Sequence, residues 1–400
     1  MKKILTILFA LSISPIINAQ VAPPHLKYFG FAIIDCLYDD PLDADTITNY
    51  IAEVDSFSNI AHMCVYDYND NIINRVNLMN NHCVLPIVHV QNIFYEYVDT
   101  NGLGGENFDL RYNFISNWDA FKTINAPILD STKIGAFYIV DEPFWKGMTF
   151  LDLDTVSSLI KADFPNIPIM IVEASGALPN LQVPTSIDWL AFDEYGIFDP
   201  GTNSSFLANL TLLKSKKSTP YQDIFLIIDD QWLPSYGSAG YPPDTIQYMV
   251  QNYYDLAASD NEIIGLIGYL WPGGLDEFGQ LGVRNMPQSV IDKNVEIGQM
   301  IIANFSPCST TGLSESIELL QLVEVFPNPV SNIVTLLFEN INNSSVELIV
   351  FNLQGQVFAE MENVKTNSIQ LNMENYQRGM YFYTIKNNNQ TIAKGKIIKN

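Results

Sequence analysis

Short apolar runs alternate with amphipathic stretches over most of the chain. Eight of these runs are apolar at successive positions, which is typical of parallel strands covered on both faces. Helical periodicity fills most of the intervals between them. The predicted strands are 28–35, 59–66, 84–90, 134–141, 167–173, 187–193, 224–230 and 263–270. The predicted helices are 68–80, 108–125, 150–163, 205–217, 244–259 and 288–304.

Eight strand–helix units predict an α/β fold, a (β/α)₈ TIM barrel. A doubly wound open sheet is the main alternative, and it normally carries a glycine-rich phosphate-binding turn after its first strand. The residues at that position are Asp35-Cys36-Leu37-Tyr38, which contain no glycine. We therefore favour the barrel.

The C-terminal region has a different pattern. Residues 333–338, 346–352, 380–386 and 391–399 alternate between apolar and polar side chains and are separated by Asn- and Gly-rich turns, which predicts a small all-β sandwich. After residue 318 the six acids balance six bases, and the last aspartate is Asp292. The predicted organisation is a signal peptide at 1–19, the barrel at 20–305, a linker at 306–318 and a second domain at 319–400.

The N-terminus predicts export. Lys2 and Lys3 precede an apolar run, and small residues before Gln20 offer a cleavage site. No later run reaches the roughly 18 apolar residues of a membrane span, so none is predicted. Export permits disulfides, and the pair to test first is Cys36 with Cys64, which the strand assignment places near the same ends of adjacent strands. Burial as free thiols is the alternative.

Composition limits the classes of function. With 48% hydrophobic and 16% charged residues, the chain is globular. A formal charge of −24 disfavours nucleic-acid partners, because such a surface repels phosphate backbones. The four histidines form no metal-binding motif, and we predict neither a metal nor a cofactor.

Carboxylates follow four consecutive predicted strands. These are Asp141 and Glu142, then Glu173, then Asp193 and Glu194, and finally Asp229 and Asp230. In a (β/α)₈ barrel the C-terminal strand ends converge on the face that carries the active site. A single acid there is usually a helix cap, but four such strands predict a functional cluster. The candidate catalytic residues are Glu142, Asp230, Asp141 and Asp193.

Aromatic residues lie at or just past the ends of predicted strands three, four, six, seven and eight. Sugar rings stack on flat aromatic surfaces, whereas packing beneath loops is the alternative role. The candidate substrate-binding residues are Trp145, Tyr195, Trp232, Tyr269, Trp271 and Tyr95.

Acids and aromatics together suggest glycoside hydrolysis, which uses an acid and a nucleophile or base. Residues 134–143, Ile-Gly-Ala-Phe-Tyr-Ile-Val-Asp-Glu-Pro, resemble the fourth strand of barrel glycoside hydrolases of the large retaining clan. Residues 187–195 resemble the sixth strand of such proteins. The resemblance implies that Glu142 is the acid/base and that a carbohydrate is the substrate.

Two departures from the clan pattern concern the nucleophile. Asp141 replaces the usual asparagine, and Asp229 and Asp230 stand where the clan has a glutamate. We predict a retaining mechanism with Asp230 as nucleophile, and Asp193 is the reserve candidate. A likeness to chitinase-like barrels would instead make Asp141 the helper of Glu142, with Tyr195 nearby. The alternatives are a catalytically inert glycan-binding or surface-interaction barrel, and a hydrolase with a divalent cation on Asp193, Asp229 and Asp230.

The tail carries a second resemblance. The segments 325–330, Val-Phe-Pro-Asn-Pro-Val, and 350–356, Val-Phe-Asn-Leu-Gln-Gly-Gln, closely resemble the C-terminal sorting domain of the type IX secretion system of Bacteroidetes, as do 378–383 and 394–399. The resemblance implies the type IX machinery as a partner and a secreted or cell-surface location. A carbohydrate-binding module is the alternative, which the absence of tryptophan from the tail weakens.

Overall fold

The computed structural model describes residues 21–308, 324–337, 345–352, 357–366, 368–387 and 390–400. The predicted signal peptide and most of the predicted linker lie outside these residues. The chain divides into two compact units, one within residues 1–310 and one within 311–400. Among the described residues, no helix is long and apolar enough to cross a membrane.

The first unit is a (β/α)₈ barrel, as predicted. Its eight strands are all parallel, and their order in the sheet is β1-β8-β7-β6-β5-β4-β3-β2. The strands are β1 Tyr28–Phe31, β2 Ile60–Cys64, β3 Leu85–His89, β4 Ala136–Asp141, β5 Ile169–Ala174, β6 Trp189–Asp193, β7 Asp223–Asp229 and β8 Ile263–Tyr269.

Backbone hydrogen bonds join the first strand region to β2 and close the ring. Asn59 donates to the Phe29 carbonyl at 3.0 Å, and Asp35 donates to the His62 carbonyl at 3.1 Å. Cys64 donates back to the Asp35 carbonyl at 3.0 Å. The sheet therefore has no free edge at this seam, which is the usual way in which a barrel avoids an unpaired strand.

Helices follow the strands along the chain, and the longer ones cover the outer face of the barrel. They are α1 Ile51–Val54, α2 Ile73–Asn81, α3 Gln91–Phe94, α4 Phe114–Asn125, α5 Phe150–Asp163, α6 Ser204–Ser215, α7 Pro234–Ser238, α8 Ile246–Ser259 and α9 Gln288–Ile302. Short 3₁₀ turns span Ala126–Ile128, Ser175–Ala177, Pro243–Thr245 and Val283–Asn285. Helix α5 has the predicted bounds because Thr149 and Asp152 form a capping box at its start.

The helix predicted at 108–125 begins later, at Phe114. Residues Asn107–Leu110 instead form an antiparallel hairpin with Tyr95–Asp99, in which the Tyr97 and Phe108 rings lie 5.8 Å apart. The apolar–polar alternation over these four residues has the period of a strand. A second short pair joins Gln231–Trp232 to Leu281–Gly282.

Strand β7 shows how each strand serves two cores. Ile224 and Ile228 pack toward the helices, whereas Phe225 and Ile227 belong to the core inside the barrel. Consecutive side chains point to opposite faces of a strand, so a fully apolar run is needed here. The Phe225 ring also contacts Tyr28 and Trp189, with centroids 5.8 and 4.8 Å away, and these three rings fill the interior of the barrel.

The second unit consists of two antiparallel sheets with a common core. One sheet contains β9 Glu324–Phe326, β10 Ile333–Leu337 and β13 Ser368–Asn372. The other contains β11 Val346–Asn352, β12 Val357–Val364, β14 Gly379–Asn387 and β15 Gln390–Lys399. Val334 and Leu371 of the first sheet share one buried cluster with Leu348 and Ile385 of the second, as in the predicted sandwich.

Two disulfides lie in the first unit. Cys36 bonds to Cys64, with Cα atoms 4.6 Å apart, which confirms the pair selected from the sequence. Cys83 bonds to Cys308 across 225 residues, against 28 residues for the first pair. The second bond was not predicted, because Cys308 lies in the segment assigned to the linker.

The two bonds should differ in their contribution to stability. In the chain-entropy model, the longer loop makes the Cys83–Cys308 bond about 2 kcal/mol more stabilising than the Cys36–Cys64 bond. We expect the Cys83→Ala/Cys308→Ala variant to unfold at lower denaturant than Cys36→Ala/Cys64→Ala, measured on protein without reductant. Equal midpoints for the two double variants would contradict this expectation.

Candidate active site

A cavity of about 690 Å³ opens at the C-terminal ends of the barrel strands. Its inner wall is apolar and includes the side chains of Ile87, Met170, Val172, Ile227 and Ile267. Its polar lining includes five carboxyl groups and two histidines. These are Asp141, Glu142, Asp193, Asp276, Glu277, His62 and His89.

The end of β4 brings two adjacent acids to the cavity. Lys146 Nζ lies 2.7 Å from Asp141 Oδ2 and 3.4 Å from Glu142 Oε2, and Tyr138 donates to Asp141 Oδ1 at 2.5 Å. Burial acts to raise the pKa of Asp141, but Lys146 and Tyr138 outweigh it and hold that pKa below its ordinary value. Burial and then the Asp141 charge raise the pKa of Glu142. The pair therefore contains one ionised carboxylate and one carboxyl that retains its proton more readily.

The backbone at Glu142 is unusual. Its φ angle is +52°, in the left-handed region that non-glycine residues rarely adopt, and its N–H donates to the Val172 carbonyl at 2.7 Å. Such conformations persist only where the surroundings enforce them, and they occur often at functional sites.

Glu173 holds in place the loop that follows β4. It is fully buried, and its carboxylate accepts N–H groups from Phe144 at 2.8 Å, Trp145 at 3.2 Å and Ala174 at 3.0 Å. Burial raises the pKa of Glu173 to about 7 despite these bonds. Glu173 thus fixes the position of the segment that carries Glu142 and Lys146, and it does not line the cavity.

The end of β6 contributes Asp193 and Tyr195. The Tyr195 hydroxyl donates to Asp193 Oδ2 at 3.3 Å, and the Tyr195 and Tyr269 rings lie 5.3 Å apart. Burial raises the pKa of Asp193 well above its ordinary value, and the charges of Glu142 and Asp141 raise it further. Asp193 therefore shares the negative field of the β4 acids.

His62 and His89, which belong to no recognisable sequence motif, form a chain of hydrogen bonds. The Ile33 N–H donates to His62 Nδ1 at 3.2 Å, so the His62 proton lies on Nε2, which is 3.2 Å from His89 Nδ1. His89 Nε2 then donates to Gln91 Oε1 at 3.3 Å, and the same oxygen accepts the Asp141 N–H at 3.1 Å. Burial lowers the pKa of His62 to about 3 and also lowers that of His89. Both rings are neutral, and they anchor the β4 end through Gln91.

The structure does not bring Asp230 into the cavity. Its side chain is fully buried on the helix side of β7, where Asn294 Nδ2 donates to it at 3.3 Å. Burial raises its pKa to about 8. Because consecutive residues face opposite sides, Asp229 takes the inner side, but Gly196 N–H and the Tyr236 hydroxyl cover it. The preference for Asp230 as nucleophile is therefore corrected: neither acid of β7 lines the cavity.

Four of the six predicted substrate-binding aromatics also lie elsewhere. Trp271 donates to Glu53 and packs on Phe31, and Tyr95 is fully buried with its hydroxyl on the Asp152 carbonyl. Trp232 donates to the Tyr241 carbonyl. The Trp145 ring lies against the backbone of the glycines at 104 and 176. Of the six predicted residues, Tyr195 and Tyr269 line the cavity.

A divalent cation on Asp193, Asp229 and Asp230 finds no support in this arrangement, because the last two carboxyls lie outside the cavity. Among the described residues, the one group spaced for a metal ion is Cys36, His62 and Cys64. Its two sulfurs are joined in a disulfide and are not thiolates.

Comparison with known proteins identifies the tail. Residues 324–400 match the family model described as "Secretion system C-terminal sorting domain". The tail is therefore a type IX sorting domain, its partner is the type IX secretion machinery, and the chain is secreted to the cell surface or beyond. A search of curated proteins found no significant match to the chain.

Several solved structures are similar to the chain at low identity. Xylanase 10B from Thermotoga maritima is 14% identical, with 70% of this chain and 97% of that chain covered and a TM-score of 0.46. An endo-β-1,4-mannanase double mutant from Cellulomonas fimi is 12% identical, with 94% of each chain covered and a TM-score of 0.42. A calcium-binding mutant of Bacteroides uniformis β-glucuronidase 2 is 10% identical, with a TM-score of 0.42. The match covers 94% of this chain and spans 45% of the glucuronidase.

The buried Asp230 predicts a pH-dependent stability. Its pKa of about 8, against 3.8 ordinarily, means that the folded protein keeps a proton that the unfolded chain releases. The resulting contribution to stability is complete below about pH 4 and is lost as the pH rises through about 8. The Asp230→Asn variant should therefore melt near the wild-type temperature at pH 4 and at a higher temperature than wild type at pH 8. The corresponding gain in the free energy of unfolding at pH 8 is at most roughly 5 kcal/mol.

The control for this measurement is Asp255→Asn, on the exposed face of α8. It should change the melting temperature equally at both pH values. If the difference between Asp230→Asn and wild type does not grow with pH, the carboxyl is not protonated in the folded state.

Glu173→Gln should loosen the loop that carries Glu142. The amide places an N–H₂ group against N–H donors, and leaving buried donors unpaired costs about 1–3 kcal/mol. Trp145 reports on the loop, because its ring lies on Gly176 just beyond β5. We expect the fluorescence emission of Trp145 to shift to the red. Its spectrum is obtained by subtracting the spectrum of the same variant that also carries Trp145→Phe. Glu194→Gln, which changes an acid held by Asn209 on α6, is the control and should leave the emission unchanged.

Proposed function

We propose that the barrel is a secreted glycoside hydrolase that cleaves glycosidic bonds of a poly- or oligosaccharide. The observation that carries this proposal is the cavity position of Glu142 beside Asp141, with a raised pKa on Glu142 and a lowered pKa on Asp141. A general acid must keep its proton near the working pH, and a neighbouring carboxylate can stabilise positive charge that develops on the sugar ring. The fold and the secreted location are compatible with this chemistry, and they do not specify it.

Five side chains of the cavity have a part in this proposal. Glu142 donates the proton to the leaving oxygen, and Asp141 remains ionised through its bonds to Lys146 and Tyr138. Asp193 is the second reacting carboxyl, because it is the other strand-end acid that faces the cavity. Burial and the neighbouring charges raise the pKa of Asp193, so its ionised form, which this role requires, becomes populated only as the pH rises. Tyr195 and Tyr269 supply the aromatic surfaces for the sugar.

A catalytically inert glycan-binding barrel is the second candidate, and one observation favours it. The acids at the end of β7, where the resembling clan has its nucleophile, are both covered. Binding of a glycan without measurable turnover, under conditions in which Glu142 is protonated, would support this candidate over the enzyme.

The enzymatic roles predict distinct effects of two substitutions. Glu142→Gln should lower turnover of glycosides with poor leaving groups by about 10²–10⁴-fold and spare activated aryl glycosides, because these need no proton at the leaving oxygen. Asp193→Asn should lower turnover of both kinds of substrate. In the wild type, the rate should fall as the pH rises through a pKa above the ordinary range for glutamate.

The measurement is release of reducing sugar and of aryl alcohol across pH 4–9. Glu194→Gln is the matched control, since it removes a neighbouring acid that does not line the cavity. Unchanged cleavage of unactivated glycosides by Glu142→Gln would end the assignment of the acid.

A further inference from the structure

The cavity has an unbalanced charge. Five carboxyl groups line it, and among the residues that the structure describes no lysine or arginine does so. The nearest cation, Lys146, is 14% exposed and is bonded to Asp141 and Glu142. A bound anion would therefore find no cation free to pair with it.

Negative charge is already costly at this position. The charges of Glu142 and Asp141 act on Asp193, and Asp141 stays ionised because Lys146 holds it. A ligand carboxylate or sulfate would add a further negative charge in a site with an apolar wall. Repulsion between unit charges about 7 Å apart corresponds to roughly three- to fifty-fold in affinity, depending on the effective dielectric constant.

Two of the five carboxyls stand on the loop that follows β8. Asp276 accepts the Tyr269 hydroxyl at 2.8 Å and Gln280 Nε2 at 2.8 Å, which fixes it beside an aromatic surface of the cavity. Glu277 is exposed next to it. These two acids have no part in the chemistry proposed above, so their charge is free to act on what enters.

We propose that the cavity accepts uncharged or cationic glycans and rejects anionic ones, such as uronic acids and sulfated sugars, with Asp276 and Glu277 as the residues that set this selectivity. The inference rests on the proposed function only in taking a glycan as the ligand. The apolar wall of the cavity receives the less polar face of the sugar. The carboxyls of Asp276 and Glu277, which we call the rim residues, bind its hydroxyl or amino groups.

Binding rather than turnover tests the selectivity. The full mature chain with Glu142→Gln would be probed with an array of immobilised oligosaccharides in matched sets. Each set contains a neutral sugar, its C6-oxidised uronic acid and its 2-amino analogue. We expect the neutral or amino member to bind at least about tenfold more tightly in 20 mM salt, and the ratio to shrink in 500 mM salt as charges are screened.

The rim residues are tested in the same assay. Adding Asp276→Asn and Glu277→Gln should lower the neutral-to-anionic ratio several-fold, whereas Asp255→Asn with Asp292→Asn, an equal charge change on exposed faces of α8 and α9, should leave it unchanged. A preference for anionic sugars, equal binding of all three members, a ratio unaffected by the rim variant or binding of no glycan would each overturn the proposal. Selective binding by a wild-type chain that never cleaves would contradict the proposed enzyme and keep the selectivity. Equal cleavage of glucosides and glucuronides would contradict the selectivity and keep the proposed enzyme.

Discussion

The ammonium group of Lys146 contacts both acids at the end of β4. Without a cation at this point, two adjacent carboxyls in a partly buried site would compete for one proton, and neither would have a defined protonation state. Lys146 keeps Asp141 ionised, so protons bind to Glu142 and Asp193 instead. The division of charge across the whole mouth of the barrel depends on this contact.

The support for Lys146 comes from behind the cavity. Glu173 points away from the barrel interior and holds the loop through backbone N–H groups, while the two neutral histidines hold the end of β4 from the other side through Gln91. Residues other than the proposed reacting acids thus determine where Asp141 and Glu142 stand. An acid after a strand can have either role, and only the direction of its side chain separates Glu173 from Asp193.

The direction of each side chain at a strand end explains which positions could be predicted from the sequence. Apolar runs and the acids that end them are local features, so the eight strands and the positions of Glu142 and Asp193 were predictable. The covered position of Asp229 was not predictable, because Tyr236 of α7 covers it. Trp271 likewise turns from the end of β8 toward Phe31 and Glu53, contacts made by distant parts of the chain.

The two histidines have a signal in the sequence that is not a metal-binding motif. His62 and His89 lie two residues after Ile60 and Ile87, which face the barrel interior, and strand alternation gives them the same direction. A polar residue at an inward position near the C-terminal end of a parallel strand is therefore informative even without a partner nearby in sequence.

The separation of the cysteines orders events during synthesis. Cys64 follows Cys36 by 28 residues, so that pair can close while most of the barrel has yet to emerge. Cys83 has to wait for Cys308, which follows the last helix of the barrel. Closure of the second bond therefore cannot precede the arrival of Cys308, at the end of the first unit. A chain truncated between Cys83 and Cys308 carries Cys83 without its partner, and that thiol marks it as incomplete.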